Sequence, residues 1–117
     1  MTPEALGRAW LDAFNAHDVQ RLVSLYADGC THTSPKIRLA YPETGGKLHG
    51  PAALFAWWSD ALKRIPQLRY ELVCLTANDE RVVLEYLRHA PNEAPLLVAE
   101  AFDVKDGRIV ASRVFHG

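Results

Sequence analysis

The second half of the chain restricts its fold more than any other feature. Near residues 68 to 77, 81 to 90, 96 to 105 and 108 to 116, apolar and polar side chains alternate with the two-residue period of a strand that buries one face. Asn78-Asp79, the run Pro91-Asn92-Glu93-Ala94-Pro95 and Asp106-Gly107 divide these segments with turn-forming residues. Four strands joined this way make an antiparallel meander, and its apolar face needs cover.

The earlier part of the chain supplies that cover as helices. Thr2-Pro3-Glu4 offers an N-cap, a proline at the first helical position and an acid suited to the helix dipole. Leu6, Ala9, Trp10, Ala13, Phe14 and His17 then recur at three- and four-residue spacing, so one face is apolar. Asn15-Ala16-His17-Asp18 breaks this helix, and Asp18 caps a second with Val19, Leu22, Val23 and Tyr26 on its stripe, ended by Asp28-Gly29. Cys30 to Ser34 suit a short strand stopped at Pro35, with Cys30, His32 and Ser34 on one face. Residues 36 to 50 show no period, and Pro42, Gly45, Gly46 and Gly50 predict a loop long enough to act as a lid. Gly45-Gly46-Lys47 lacks the leading glycine and the following Ser/Thr of a phosphate loop. Pro51 opens a third helix, with Leu54, Phe55, Trp58, Ala61, Leu62 and Ile65 on its buried side and Pro66 closing it. Helices first and a meander after predict an α+β fold, with the helices on one face of an antiparallel sheet.

The 117 residues fit one domain, 1-117, with one core. Thirteen basic against fourteen acidic residues, without a Lys/Arg cluster, argue against nucleic acid as a partner. No basic stretch precedes an apolar core at the N-terminus, and no apolar run approaches the roughly 18 residues of a membrane span. No membrane association is therefore expected, and the expected location is cytoplasmic. Cys30 and Cys74 lack the spacing of a zinc or redox motif and read as two reduced, buried thiols, with a disulfide as the alternative. The histidines lack spacing such as H-E-x-x-H, so no metal is expected.

One acid stands out against this background. Glu100 lies in Leu96-Leu97-Val98-Ala99-Glu100-Ala101-Phe102, on the strand face that carries Leu96, Val98 and Phe102. Burial there raises its pKa and equips it to give or take a proton. Pairing with Arg88 or Arg113 is the plainer alternative, since structural ion pairs also perturb acids. His17 and His49 read as turn and loop histidines. One residue of register decides whether Glu85 and His89, or Tyr86, face inward from the 81 to 90 strand.

The Asn-Ala-His-Asp junction, Leu25-Tyr26-Ala27-Asp28, His49-Gly50-Pro51 and Asp106-Gly107-Arg108-Ile109, in this order of elements, resemble the nuclear transport factor 2-like superfamily. The likeness is closest to its SnoaL-like and ketosteroid isomerase-like branch and covers nearly the whole chain. It implies a cone: a strongly curved, mainly antiparallel mixed sheet with three helices from the N-terminal half packed on its concave face, enclosing a pocket. Members include isomerases, polyketide cyclases, epoxide hydrolases, dehydratases and domains without a known reaction, so the fold leaves the activity open.

The residues that carry ketosteroid isomerisation transfer poorly. Ser34, before Pro35, stands where those enzymes keep an aspartate base. Trp10 stands in place of the oxyanion tyrosine of the first helix, and Trp58 in place of a supporting tyrosine of the third. Tyr26 keeps the tyrosine of the second helix, and Glu100 aligns with the remaining oxyanion acid. Steroid isomerisation of that kind is not expected. The resemblance also turns Ser112, Val114 and His116 inward on the last strand. Glu100, His32 and His116 are thus the candidate catalytic residues, with Trp10, Tyr26, Ser34, Phe55, Trp58, Phe102 and Val114 as substrate contacts. SnoaL-like cyclases resemble this in using an acid without metal or cofactor. The expected function is cofactor-independent acid/base chemistry of isomerase, cyclase or dehydratase type on a small hydrophobic carbonyl compound. The alternative is a non-catalytic ligand-binding or dimerisation module, and both readings imply a homodimer.

Overall fold

Thr2 starts the first helix as its sequence directs. In the structure, a computed structural model that describes residues 1–117, Thr2 Oγ1 accepts a hydrogen bond from the Ala5 amide and Pro3 occupies the first turn of α1 (Pro3–Asn15). Its apolar face buries Leu6, Trp10, Ala13 and Phe14. His17, at φ 57°, makes the corner to α2 (Val19–Ser24), and its Nε2–H donates to the Leu68 carbonyl at 2.7 Å. It is a structural turn histidine, as expected. Asp18 caps α2 by accepting from the Arg21 amide.

The second helix is shorter than its apolar stripe predicts. It stops at Ser24, and Tyr26 is the first residue of β1 (Tyr26–Thr33), not the last of a helix; Asp28-Gly29 lies within that strand. The cause is long-range. The Leu25 carbonyl accepts from the Ile109 amide at 2.9 Å, and Tyr26 pairs with Ile109 across a parallel ladder, so tertiary pairing overrides a weak local helix. An irregularity between Tyr26 and Thr31 shifts the register of that ladder.

The stretch 36 to 50 is not a lid-like loop. Ser34 leaves the strand and caps a fourth helix, α3 (Pro35–Ala40), by accepting from the Lys36 amide, and Ile37 is buried beneath it. A 3₁₀ turn (Pro42–Thr44) and two left-handed glycines, Gly45 (φ 66°) and Gly46 (φ 90°), then lead into β2 (Lys47–His49), which pairs with β1. Serine followed by proline is itself a helix-start signal, and the glycines of the turn outweighed it in the sequence. α4 (Pro51–Arg64) follows as expected.

The meander consists of β3 (Arg69–Ala77), β4 (Arg81–His89), β5 (Leu96–Lys105) and β6 (Arg108–His116). The six strands form one sheet in the order β2-β1-β6-β5-β4-β3, antiparallel except for β1 beside β6. Irregular register near Val73 and between Asp103 and Val104 bends the long strands, and α1 and α4 lie in the resulting curve. The fold is the mixed α+β cone expected, with four helices in place of three. Val82, Leu84, Tyr86 and Arg88 face inward from β4, so Tyr86 is the inner residue and Glu85 and His89 turn outward. Rings fill the centre: Phe14 stacks on Tyr70 at 3.9 Å, Tyr70 on Tyr86 at 4.1 Å, and Trp10 packs against Phe14, Trp58 and Phe102. Both cysteines are free, but only Cys30 is buried; Cys74 is exposed on the edge strand β3, which corrects the expectation of two buried thiols. No helix is long and apolar enough to cross a membrane.

Candidate active site

The cone holds a cavity of about 520 Å³, within the range of small-molecule sites. Six of the ten predicted site residues line it: His32, Ser34, Trp58, Glu100, Val114 and His116. Trp10, Tyr26 and Phe102 do not reach it; they are sealed in the core under its floor, because the helix and strand faces that carry them meet each other first. Phe55 is 44% exposed on the outer side of α4 and belongs to neither. The neighbouring Trp57 joins the wall in its place. Tyr70, Tyr86, Arg88 and Lys36 also line the cavity. Tyr70 has no distinguishing signal in the sequence beyond the alternation of its segment, and Lys36 has none at all, since it falls in the stretch without a period.

Glu100 is 1% exposed, and neither Arg88 nor Arg113 pairs with it. Arg88 turns to Glu93, and Arg113 points to the outer face, where Asp103 holds it in a bidentate pair at 2.9 and 3.0 Å. The Glu100 carboxyl instead accepts one hydrogen bond, from the Tyr86 hydroxyl to Oε1 at 2.9 Å. Oε2 is the single fully buried side-chain polar atom without a partner. Desolvation pushes the carboxyl up to about 8, against a weaker downward pull from Tyr86. At neutral pH it is mainly a carboxylic acid.

His32 is 2% exposed and packs its ring against Trp58 at 5.1 Å. Burial lowers its pKa to about 4, so the imidazole is neutral where Glu100 is protonated. Its Nδ1 lies 2.6 Å from Ser112 Oγ and 3.9 Å from Glu100 Oε2, the latter too long for a hydrogen bond. The two groups face each other without forming an ion pair.

The core residues beneath the floor fix the tautomer of His32. Trp10 Nε1–H donates to Tyr26 Oη at 3.2 Å, and an indole nitrogen cannot accept in return. The other neighbour of Tyr26 Oη is Ser112 Oγ at 2.9 Å, so the tyrosine proton goes there. The only other hydrogen-bond partner of Ser112 Oγ is His32 Nδ1, so the serine donates its own proton there. The ring proton of His32 therefore sits on Nε2, which makes no hydrogen bond within the protein. Trp10 and Tyr26 act on the site through this chain rather than by touching a ligand.

His116 stands at the mouth, two residues along β6 from Val114, which is paired with Glu100. Partial desolvation, then the charges of Lys36 and Arg88, hold its imidazole below the usual value. Ser34 is spent on capping α3, so the position of the isomerase base carries no base here. No group of three or more His, Cys, Asp and Glu side chains is arranged to hold a metal ion.

The model of the SnoaL-like domain matches residues 7–112. The chain belongs to the SnoaL-like domain family. A SnoaL-like protein of unknown function from Burkholderia thailandensis is 31% identical, with 98% of this chain and 94% of that one covered and a TM-score of 0.85. A protein from Sinorhizobium meliloti provisionally named a polyketide cyclase is 19% identical, with 95% and 94% covered and a TM-score of 0.80. A protein with a ketosteroid isomerase-like fold from Catenulispora acidiphila, solved with trimethylamine, is 16% identical, with 98% and 86% covered and a TM-score of 0.79. No curated protein matches the sequence. In this SnoaL-like domain the penultimate strand thus carries a buried neutral acid, while the first-helix tryptophan lies below the floor.

Proposed function

We propose that this SnoaL-like domain performs cofactor-independent acid/base chemistry on a small, mainly apolar carbonyl compound. The observation that carries the reading is the buried Glu100 carboxyl, held by Tyr86 at one oxygen and unpartnered at the other; the same burial pushes its pKa up to about 8, which favours the protonated form at neutral pH. A fixed neutral donor buried at the inner end of the cavity favours charge developing on a carbonyl oxygen. His32 Nε2–H supplies the second donor, since its Nδ1 is occupied by Ser112. His116, kept neutral at the mouth, takes a proton from the carbon beside the carbonyl as Glu100 gives one to the oxygen, leaving an enol. Where a double bond adjoins that carbon, the resulting dienol takes the His116 proton at its far carbon and returns its hydroxyl proton to Glu100, which completes an isomerisation; in a cyclisation the enol carbon attacks a second carbonyl, whose oxygen takes the His116 proton while the enol hydroxyl returns its proton to Glu100. Trp58 and Val114 hold the apolar body, and Ser34 shapes the wall.

The test is deuterium exchange at the carbons beside the ketone of 4-phenylbutan-2-one in heavy water. Exchange catalysed by the protein and reduced about 100-fold in Glu100→Gln supports the reading. Exchange no faster than buffer, or equal in the variant, overturns it.

The outer face of the sheet favours a pairing role beside this chemistry. Leu87 and Leu97 are ladder partners there, as are Ala99 and Phe115, and Leu97 and Phe115 are 47% and 55% exposed. A homodimer through this face is expected to sediment as a dimer and to dissociate on Leu97→Lys with Phe115→Lys. A monomeric wild type sinks the pairing.

A further inference from the structure

The acid/base reading leaves one wall of the cavity unused, and that wall is cationic. Arg88 stands two residues beyond Tyr86 on the inner face of β4 and is 7% exposed. A guanidinium has five N–H groups, and Arg88 makes one hydrogen bond within the protein, from Nη1 to Glu93 Oε1 at 3.1 Å. Its other nitrogens are not sealed, since Glu100 Oε2 alone is both fully buried and unpartnered; they open on the cavity that Arg88 lines. Lys36, from the first turn of α3, and Arg64, from the last turn of α4, line the same wall. Asp60 offsets Arg64 at 2.8 Å, and the half-exposed Glu93 partly offsets Arg88; Lys36 makes no ion pair, and Glu93 acts on it only as a charge weaker than that of Arg88. Desolvation, then the charge of Arg88, holds the Lys36 ammonium below its usual value. Three cations thus line the pocket, where Glu93 is the one carboxylate besides the buried Glu100, in a chain of net charge -1.

A nearly buried guanidinium with most of its donors free is an expensive arrangement unless something completes it. The partner that matches its planar fork is a carboxylate, held by two parallel N–H donors with the ammonium of Lys36 adding charge. We infer that the cavity takes an amphipathic carboxylate, its apolar body against Trp58 and Val98 and its anionic end against Arg88 and Lys36. In the β4 and β5 ladder Arg88 pairs with Leu96, four residues from Glu100, or roughly 13 Å along the strand. The carboxylate and the oxygen that Glu100 protonates therefore lie at opposite ends of the molecule, as in a long-chain or aryl keto acid. The inference rests on the acid/base reading for calling that molecule a substrate, whereas the binding stands apart from it.

The experiment compares 4-phenylbutyrate with its uncharged isostere 4-phenylbutyramide by titration calorimetry on the full chain at neutral pH and low salt. The carboxylate is expected to bind at least about tenfold more tightly than the amide. Arg88→Gln is expected to abolish most of that preference, Arg88→Lys to keep part of it, and Lys36→Gln, an exposed change that leaves the core intact, to reduce it several-fold. Equal affinity for the two probes, no carboxylate binding up to about 1 mM, or a preference that survives both Arg88→Gln and Lys36→Gln overturns the inference. Neither probe offers a ketone, so Glu100→Gln is expected to leave the preference in place. Lost deuterium exchange with intact preference sinks only the chemistry; intact exchange without preference sinks only the carboxylate site.

Discussion

His32 Nδ1 and Glu100 Oε2 face each other across 3.9 Å, and no proton passes between them. The reason is that Ser112 already fills the lone pair of Nδ1, and burial keeps both groups neutral over the same range of pH. The pair therefore presents two donors to a ligand instead of neutralising itself, and this relationship has measurable consequences.

Stability is expected to level off between pH 4.5 and 6.5 and to fall on the alkaline side. Glu100 ionises near 4.5 when unfolded and near 8 when folded, so between those values the native state holds the extra proton and stability drops as pH rises. His32 ionises near 6.5 unfolded and near 4 folded, so between those values the unfolded state holds the extra proton and stability rises with pH. The slopes cancel where the ranges overlap. From 6.5 to 8 only Glu100 acts, for a loss of about 2 kcal/mol. Urea unfolding across this range checks it, and Glu100→Gln should flatten the alkaline limb.

Ser112→Ala is expected to release the tautomer of His32. Without the serine hydroxyl, Nδ1 loses its donor and neither ring nitrogen is held by a hydrogen bond within the protein. Nitrogen-15 NMR of the imidazole should show Nε2–H alone in the wild type and a mixture in the variant. The Tyr26 hydroxyl, left without its acceptor, should also cost roughly 1–3 kcal/mol.

Gly7→Ala is expected to destabilise the protein although alanine favours a helix by about 1 kcal/mol. A Cβ at Gly7 would stand 2.9 Å from Val82 Cγ2 and 3.4 Å from Leu84 Cδ2, because α1 lies directly on β4. Valine is stiff at that torsion, and overpacking costs roughly 1–3 kcal/mol. A lowered urea midpoint is the expected result, and a raised one would show that the strand gives way.

One thiol is expected to react with an aromatic disulfide reagent in the native protein and two after unfolding. Cys74 is exposed, whereas Cys30 is sealed and burial pushes its thiol up, which removes Cys30 from reach of the reagent and suppresses its thiolate. Cys74→Ser should remove the native reaction entirely.

The meander was legible because alternation repeats over nine or ten residues in each strand, enough to outvote local exceptions. Tyr26 and residues 36 to 50 were not, since one depends on a parallel partner 83 positions away and the other packs two short elements around turn glycines. Phe55 and Phe102 both looked like pocket walls, and composition could not say that one faces outward and the other lies below the floor.

The sequence by itself determined the α+β class, the inward face of β5 and hence the presence of an acid in the core, because period and turn chemistry are local. Only the tertiary structure decided what that acid is. Tyr86 from β4, Ser112 from β6 and His32 from β1 meet Glu100 from separate stretches of chain, and their joint exclusion of water sets its proton. The free fork of Arg88 was decided in the same way, since a guanidinium is spoken for or open according to what folding brings beside it.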